Sequence, residues 1–152
     1  MTIYLGADHA GYKLKEKVKA YLLKHKYAVK DFGTNSEAPV DYPDFIFLVS
    51  EMVSLKAGAK GIVFGGTGLG ECVAANKIRG VRAVICYDAY TAKMSREHND
   101  ANVLCLGGRT ITKNWARTKN ILDIWLKTKF TGEARHVRRL KKIAKVEEEF
   151  HG

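Results

Sequence analysis

Residues 61–77 read GIVFGGTGLGECVAANK: an apolar run, a glycine cluster, and then a single acid, Glu71, opening a short helical pattern. That order is the grammar of a strand entering a helix through a turn whose bare backbone approaches something closely. The same alternation recurs along the chain. TIYLG (2–6), YAVKDFG (27–33), GIVFGG (61–66), VRAVICY (81–87) and NVLCLGG (102–108) are short and rich in β-branched and aromatic residues, and read as strands. Between the first two, Leu14, Val18, Tyr21 and Leu22 recur at helical spacing. Phe45, Ile46, Leu48, Val49 and Met52 mark a second helix from Pro43 to about Lys56. Others follow at AYTAKMSREH (89–98) and from Thr112 to about Lys127, where Trp115, Leu122, Trp125 and Leu126 are expected to face inward. Strands alternating with helices predict parallel βαβ units, hence a doubly wound, Rossmann-like three-layer α/β/α sandwich with about five strands.

The last segment, about 133–149, carries Val137, Leu140 and Ala144 at helical spacing among basic residues. It follows the completed sheet, so this C-terminal helix is expected to pack on a partner subunit. The 152 residues suit a single domain, 1–152. The start, MTIYLGADHAG, lacks a basic and then apolar leader, and no apolar run approaches the roughly 18 residues that span a bilayer. The expectation is a cytoplasmic protein with no membrane partner. Cys72, Cys86 and Cys105 show no C-x-x-C spacing and read as free thiols rather than disulfides or a zinc site.

The net charge of +10 is concentrated late: between Lys113 and Lys145 the only acids are Asp123 and Glu133. Such a run suggests nucleic acid, but no RNP signature, helix-turn-helix glycine turn or aromatic ladder accompanies it. A solvated helical face, or a phosphate site built from a few arginines, accounts for it as well.

Three phosphate-loop grammars can be tested on the glycine cluster. The Walker A pattern fails because no Lys-Ser or Lys-Thr follows Gly70. The dinucleotide fingerprint needs a glycine where Glu71 stands, although Asp88 beyond the next strand keeps that alternative open. The third grammar is a backbone nest, Gly66, Gly68, Leu69 and Gly70, holding a small anion or a developing oxyanion at a helix N-terminus. Glu71 beside it is either an acid favoured by the helix dipole or a base that removes a proton next to a carbonyl. Asp8 and His9 follow the first strand, Glu71 the third, Asp88 the fourth and Arg109 the fifth, so all five are expected on one rim. His98, in SREHND, has Asn99 and Asp100 at hand to orient it. It serves either as a dipole-favoured helix C-terminal residue or as an imidazole that opens a sugar ring.

Taken in order, GADHAG, DYPD (41–44), GGTGLGECVAANK, SREHNDANVLCLGGR and RHVRR resemble the ribose-5-phosphate isomerase B family, which also holds galactose-6-phosphate and allose-6-phosphate isomerases. The resemblance covers nearly the whole chain. It implies an isomerase interconverting ribose 5-phosphate and ribulose 5-phosphate, or else a six-carbon sugar phosphate, with no cofactor and no metal. It also implies a homodimer or homotetramer whose sites are completed by the neighbouring chain. Residue by residue, it puts His9 near the phosphate, Asp8 near the sugar and Tyr42 in the pocket wall. The loop from Gly66 through Gly68, Leu69 and Gly70 becomes the anion hole, assisted by Thr67. His98 opens the ring, Asn99 binds a sugar oxygen, and Arg109, Arg135 and Arg139 hold the phosphate. Many members place a catalytic cysteine immediately before G-T-G. This chain has Gly65 there and resembles the branch with a glutamate after the loop, which makes Glu71 the proton shuttle, with Cys72 as competing candidate.

Overall fold

Neighbouring side chains on a strand face opposite sides of a sheet, and in three runs both sides are apolar. β1 (Thr2–Ala7), β3 (Lys60–Gly65) and β5 (Val103–Gly107) are buried almost throughout, so helices must cover both faces. The computed structural model describes residues 1–110 and 114–151. β2 (Ala28–Asp31) and β4 (Ala83–Ile85) complete one parallel sheet in the order β2-β1-β3-β5-β4.

The expected three-layer α/β/α arrangement forms around it. α1 (Tyr12–Lys24), α4 (Ala89–Asn99) and α5 (Trp115–Lys127) cover Leu5, Ile62, Phe64 and Leu104, while α2 (Tyr42–Leu55) and α3 (Leu69–Ala75) cover Tyr4, Val63 and Cys105. Thr112, the expected start of the fifth helix, lies outside the described residues. No described helix is long and apolar enough to cross a membrane.

Some expected faces shift. The inward stripe of α2 is Ile46, Val49 and Val53, which leaves Leu48, about 200° around the axis from Ile46, exposed. Trp115, the first residue of α5, is half-buried beneath Lys17, whose ammonium lies 4.6 Å above its ring. Lys15 is fully buried on α1, where its ammonium bonds Asp31 at 2.6 Å and Glu16 at 2.8 Å. On α6 (Ala134–His151), Val137 and Leu140 are half-buried, but Ala144, Ile143, Val146 and Phe150 are exposed.

The chain leaves β1 outward to β2 and returns to β3 on the other side of β1. The carboxyl ends of β1 and β3 therefore flank the topological switch point, where open α/β sheets bind ligands. The register pairs Ala7 with Phe64 and Gly65 with Gly107, which brings the loops after β1, β3 and β5 side by side.

At the opposite end, Lys60 is only 8% exposed and its ammonium lies 4.5 Å above the Trp125 ring. Burial pushes its pKa down to about 8, with nearby Arg96 adding to the effect and Asp100 opposing it. The unfolded chain holds this proton to about 10.5, so between those values it binds more protons and folding stability rises with pH. Below that window the buried charge costs up to about 3 kcal/mol, at about 1.36 kcal/mol per unit. Lys60→Met should therefore melt at higher temperature than the parent near pH 7, and the gap should narrow toward about pH 10. Thermal denaturation followed by circular dichroism measures it, and a lower melting temperature near neutrality would show that the charge is stabilising instead.

Candidate active site

The rim is assembled backbone against backbone. Asp8 N–H donates to Phe64 O at 3.1 Å, Gly108 N–H to Gly65 O at 2.7 Å, and Arg109 N–H to Gly66 O at 2.9 Å. Three loops are thereby locked edge to edge beyond the sheet. Asp8 is 8% exposed, and its Oδ1 accepts the Gly11 N–H at 2.8 Å, closing the turn into α1. His9 is half-buried, and its Nδ1 accepts the Val40 N–H at 3.3 Å, so neutral His9 carries its proton on Nε2. Tyr42 leans over the loop: a Cβ on Gly70 would stand 3.0 Å from Tyr42 Cζ. Arg109 is exposed and runs past Gly66, with Nη1 3.5 Å from where a Cβ there would stand.

Gly68 precedes α3 at φ +83°, the left-handed region that favours glycine. This turn starts the helix at Leu69, earlier than ECVAANK suggests, and puts Glu71 in its first turn. Thr67 Oγ1 accepts the Leu69 N–H at 3.2 Å, and both residues are exposed at the surface of the loop.

Glu71 itself turns inward and is 4% exposed. Its carboxylate fills the space a side chain on Gly65 would need, with both oxygens overlapping the position of a Cβ there. Burial pushes the Glu71 carboxyl above the ordinary glutamate range and the Asp8 carboxylate adds to the rise, while the N–H groups of Glu71 and Gly68 pull it down. Cys72 faces elsewhere: its Sγ bonds Ala83 O at 3.4 Å and Asn76 Nδ2 at 3.6 Å, against the second core. Asp88 caps α4 in a reciprocal box with Thr91, bonding the Thr91 N–H at 2.8 Å, which accounts for this acid without a dinucleotide.

The remaining predicted residues lie at the other end. α4 runs 11 residues away from the rim, so His98 and Asn99 stand roughly 15 Å from its start. Asn99 O accepts from Arg82 Nε at 3.0 Å, beside the amino end of β4. Asp100 does not orient His98; it bridges Arg82 and Arg96 at 3.0 and 2.8 Å. His98 instead stacks on His136 of α6, ring centroids 4.2 Å apart and planes within 15°. Arg135 and Arg139 belong to the same helix and are exposed, with Arg135 paired to Glu133 at 2.9 Å. One chain therefore brings together Asp8, His9, Tyr42, the Gly66–Gly70 loop, Glu71 and Arg109. Separately it groups His98 and Asn99 with the helix carrying Arg135 and Arg139. His136, 3% exposed, is the member sequence reasoning missed, although RHVRR contains it; burial holds its imidazole below the usual range, and neighbouring His98 adds to that.

A buried acid of raised proton affinity, set in a glycine-rich helix entry at the switch point of a parallel sheet, places the chain in a class: α/β proteins whose ligands bind beyond the carboxyl ends of the strands. Within that class the chain belongs to the ribose/galactose isomerase family, whose model matches residues 3–143. Ribose-5-phosphate isomerase B of Escherichia coli is 40% identical over 146 residues, covering 96% of each chain. The Clostridium thermocellum ribose-5-phosphate isomerase B structure superposes with TM-score 0.94 at 47% identity, covering 99% of both chains. The Mycoplasma genitalium ribose-5-phosphate isomerase B with bound ribulose-5-phosphate gives TM-score 0.91 at 41% identity, covering 97% of both.

The electrostatics can be checked directly. Carbon-detected NMR should find Glu71 titrating above an ordinary glutamate, and Asp8→Asn should lower that midpoint because it removes the neighbouring negative charge. An unmoved midpoint would disconnect the two acids.

Proposed function

We propose that the chain is an aldose–ketose isomerase interconverting ribose 5-phosphate and ribulose 5-phosphate through an enediolate, by side-chain proton transfer and without a metal. The observation that carries this reading is the Glu71 carboxylate, buried against Gly65 beside the loop N–H groups. The sugar is supported by the relatives, one of which holds ribulose 5-phosphate.

Arg109, Arg135 and Arg139 hold the phosphate, with His9 near it. Asp8, Tyr42 and Asn99 take the sugar, and Leu69 bounds the pocket. His98 accepts the anomeric hydroxyl proton and protonates the ring oxygen, which opens the furanose. Glu71 then removes the C2 proton; the electron pair forms the C1–C2 double bond and the C1 carbonyl oxygen becomes the oxyanion. The loop N–H groups and the Thr67 hydroxyl carry that charge. A proton passes from O2 to O1 while Glu71 returns its own to C1, leaving the ketone at C2.

Glu71 and His98 lie at opposite ends of one chain, so the reading requires a homodimer or homotetramer in which the partner's His98, Asn99, Arg135 and Arg139 approach the rim. The exposed apolar stripe of α6, Ile143, Val146 and Phe150, supports a second copy as its cover. Free thiols at Cys72, Cys86 and Cys105 agree with a single-domain cytoplasmic enzyme.

In deuterated buffer with a chelator present, turnover of ribose 5-phosphate should incorporate deuterium at C1 of the product. No turnover by folded protein would sink the assignment. Glu71→Gln should lower kcat by about 100-fold or more, the usual contribution of a general base; a loss of only a few-fold would remove Glu71 from the role.

Shared sites make a separate prediction. Glu71→Gln and His98→Asn chains, each inactive alone, should regain roughly a quarter of parental activity when unfolded together and refolded as mixed dimers, because half the dimers then hold one intact site of two. Mixtures no more active than their components would place the whole site within one chain.

A further inference from the structure

Among the described residues three buried polar atoms have no hydrogen-bond partner, His136 Nε2 beside His98 and, near the amino end of β3, Lys60 Nζ and Trp125 Nε1. Buried polar groups nearly always find partners, and an orphan calls for an ion or water that satisfies it. Lys60 Nζ lies 4.5 Å from the Trp125 ring centroid, and the guanidinium carbon of Arg96 lies 5.8 Å from the same ring. Lys60 and Arg96, with Arg82, Asp100 and Asn102, also line a cavity of about 340 Å³.

The cavity walls carry excess positive charge. Arg82 and Arg96 share a single carboxylate, Asp100, at 3.0 and 2.8 Å. Their other donors go to uncharged carbonyls of Gly80, Asn99, Asp100, Ala101 and Thr128. Lys60, Arg82 and Arg96, with exposed Lys56 on the same wall, face two carboxylates, Asp100 and the Glu147 side chain that accepts the Gly80 N–H of the wall at 3.0 Å, which leaves a surplus of two charges. Ion pairing inside a protein is favourable only when charges balance and donors are taken up.

We propose that this cavity binds a small dianionic oxyanion of the orthophosphate class, with Lys60 turning from the face of Trp125 onto the anion beside Arg82, Arg96 and Asn102. A dianion matches the surplus, and the volume lies at the lower end of small-molecule pockets, roughly 300–1,000 Å³, which suits an inorganic ion with its water rather than a nucleotide. The site stands at the end of the sheet opposite Glu71 and does not depend on the isomerase reading. Arg82 also holds Asn99 O at 3.0 Å, so occupancy bears on the end of α4.

The test uses Trp125 as reporter. Trp115→Phe leaves it the only tryptophan of two, and Arg109→Ala, Arg135→Ala and Arg139→Ala on the same chain remove the candidate substrate-phosphate arginines. Titration with sodium phosphate, against sodium chloride at equal ionic strength, should change Trp125 emission saturably. Adding Lys60→Met should weaken that response about tenfold or more, as loss of a charge-assisted hydrogen bond implies. No saturable response, or an equal response with Lys60→Met, overturns the proposal; so does a response seen with Arg109, Arg135 and Arg139 present but lost in their absence. Should Lys60→Met not fold, the pH dependence of the Trp115→Phe chain decides. The charged groups around Lys60 are Lys56, Arg82, Arg96, Asp100 and Glu147, and over about pH 7 to 9.5 Lys60, lowered to about 8, gives up its proton. Affinity expressed for the phosphate dianion, whose share rises as phosphate loses its second proton over the same range, should fall several-fold, and an unchanged value overturns the site.

Discussion

The packing of the Glu71 carboxylate onto the bare backbone of Gly65 is the contact on which the site depends. A carboxyl group can be buried at 4% exposure only if something replaces its water, and here the N–H groups of Gly68 and Glu71 do so. Those donors exist because Gly68 adopts a left-handed conformation and turns the chain into α3 at Leu69. The same contact leaves no room for a side chain at Gly65, immediately before G-T-G. A side chain at position 65 and the carboxylate of Glu71 would claim one volume, so only one of the two can be the group that faces the loop.

Geometry of the crossover separates His98 and Asn99 from the rim. In a parallel sheet each helix begins at the carboxyl rim and runs back to the amino end. A residue in the last turn of α4 is therefore carried away from the rim, whatever its chemistry. His98 and Asn99 are in that position, and α6 brings Arg135 and Arg139 alongside. On the proposed reading, a neighbour related by a two-fold axis presents its amino-end residues to this chain's rim, and a small α/β fold gains reach without longer loops.

Periodicity revealed most of the fold, because central strands buried on both faces and amphipathic helices carry distinct apolar patterns. All five strands and their helices were legible in outline, as was the rim shared by Asp8, Glu71 and Arg109. What stayed hidden involved partners distant in sequence. Lys15 and Lys60 read as surface residues, yet one is buried by pairing with Asp31 and the other lies on Trp125. Asp100 sits next to Asn99 in sequence but is claimed by Arg82 and Arg96. The inward turn of Glu71 needed the exact approach of α3 to β3, which glycine spacing implies only as an opportunity.

On the proposed reading, the closeness of Asp8 and Glu71 has a mechanistic use. A second carboxylate raises the proton affinity of the first, at the cost of repelling an anionic substrate. Proton abstraction by Glu71 creates no net charge: the carboxylate becomes neutral as the substrate oxygen becomes an anion. The negative charge moves from Glu71 into the loop, away from Asp8 and toward N–H dipoles. Repulsion from Asp8 therefore favours the transfer, while the phosphate, held by arginines farther out, keeps its own charge clear of both acids. The two carboxylates and the backbone nest act in the same direction, and the buried position of the pair makes that effect larger than it would be in water.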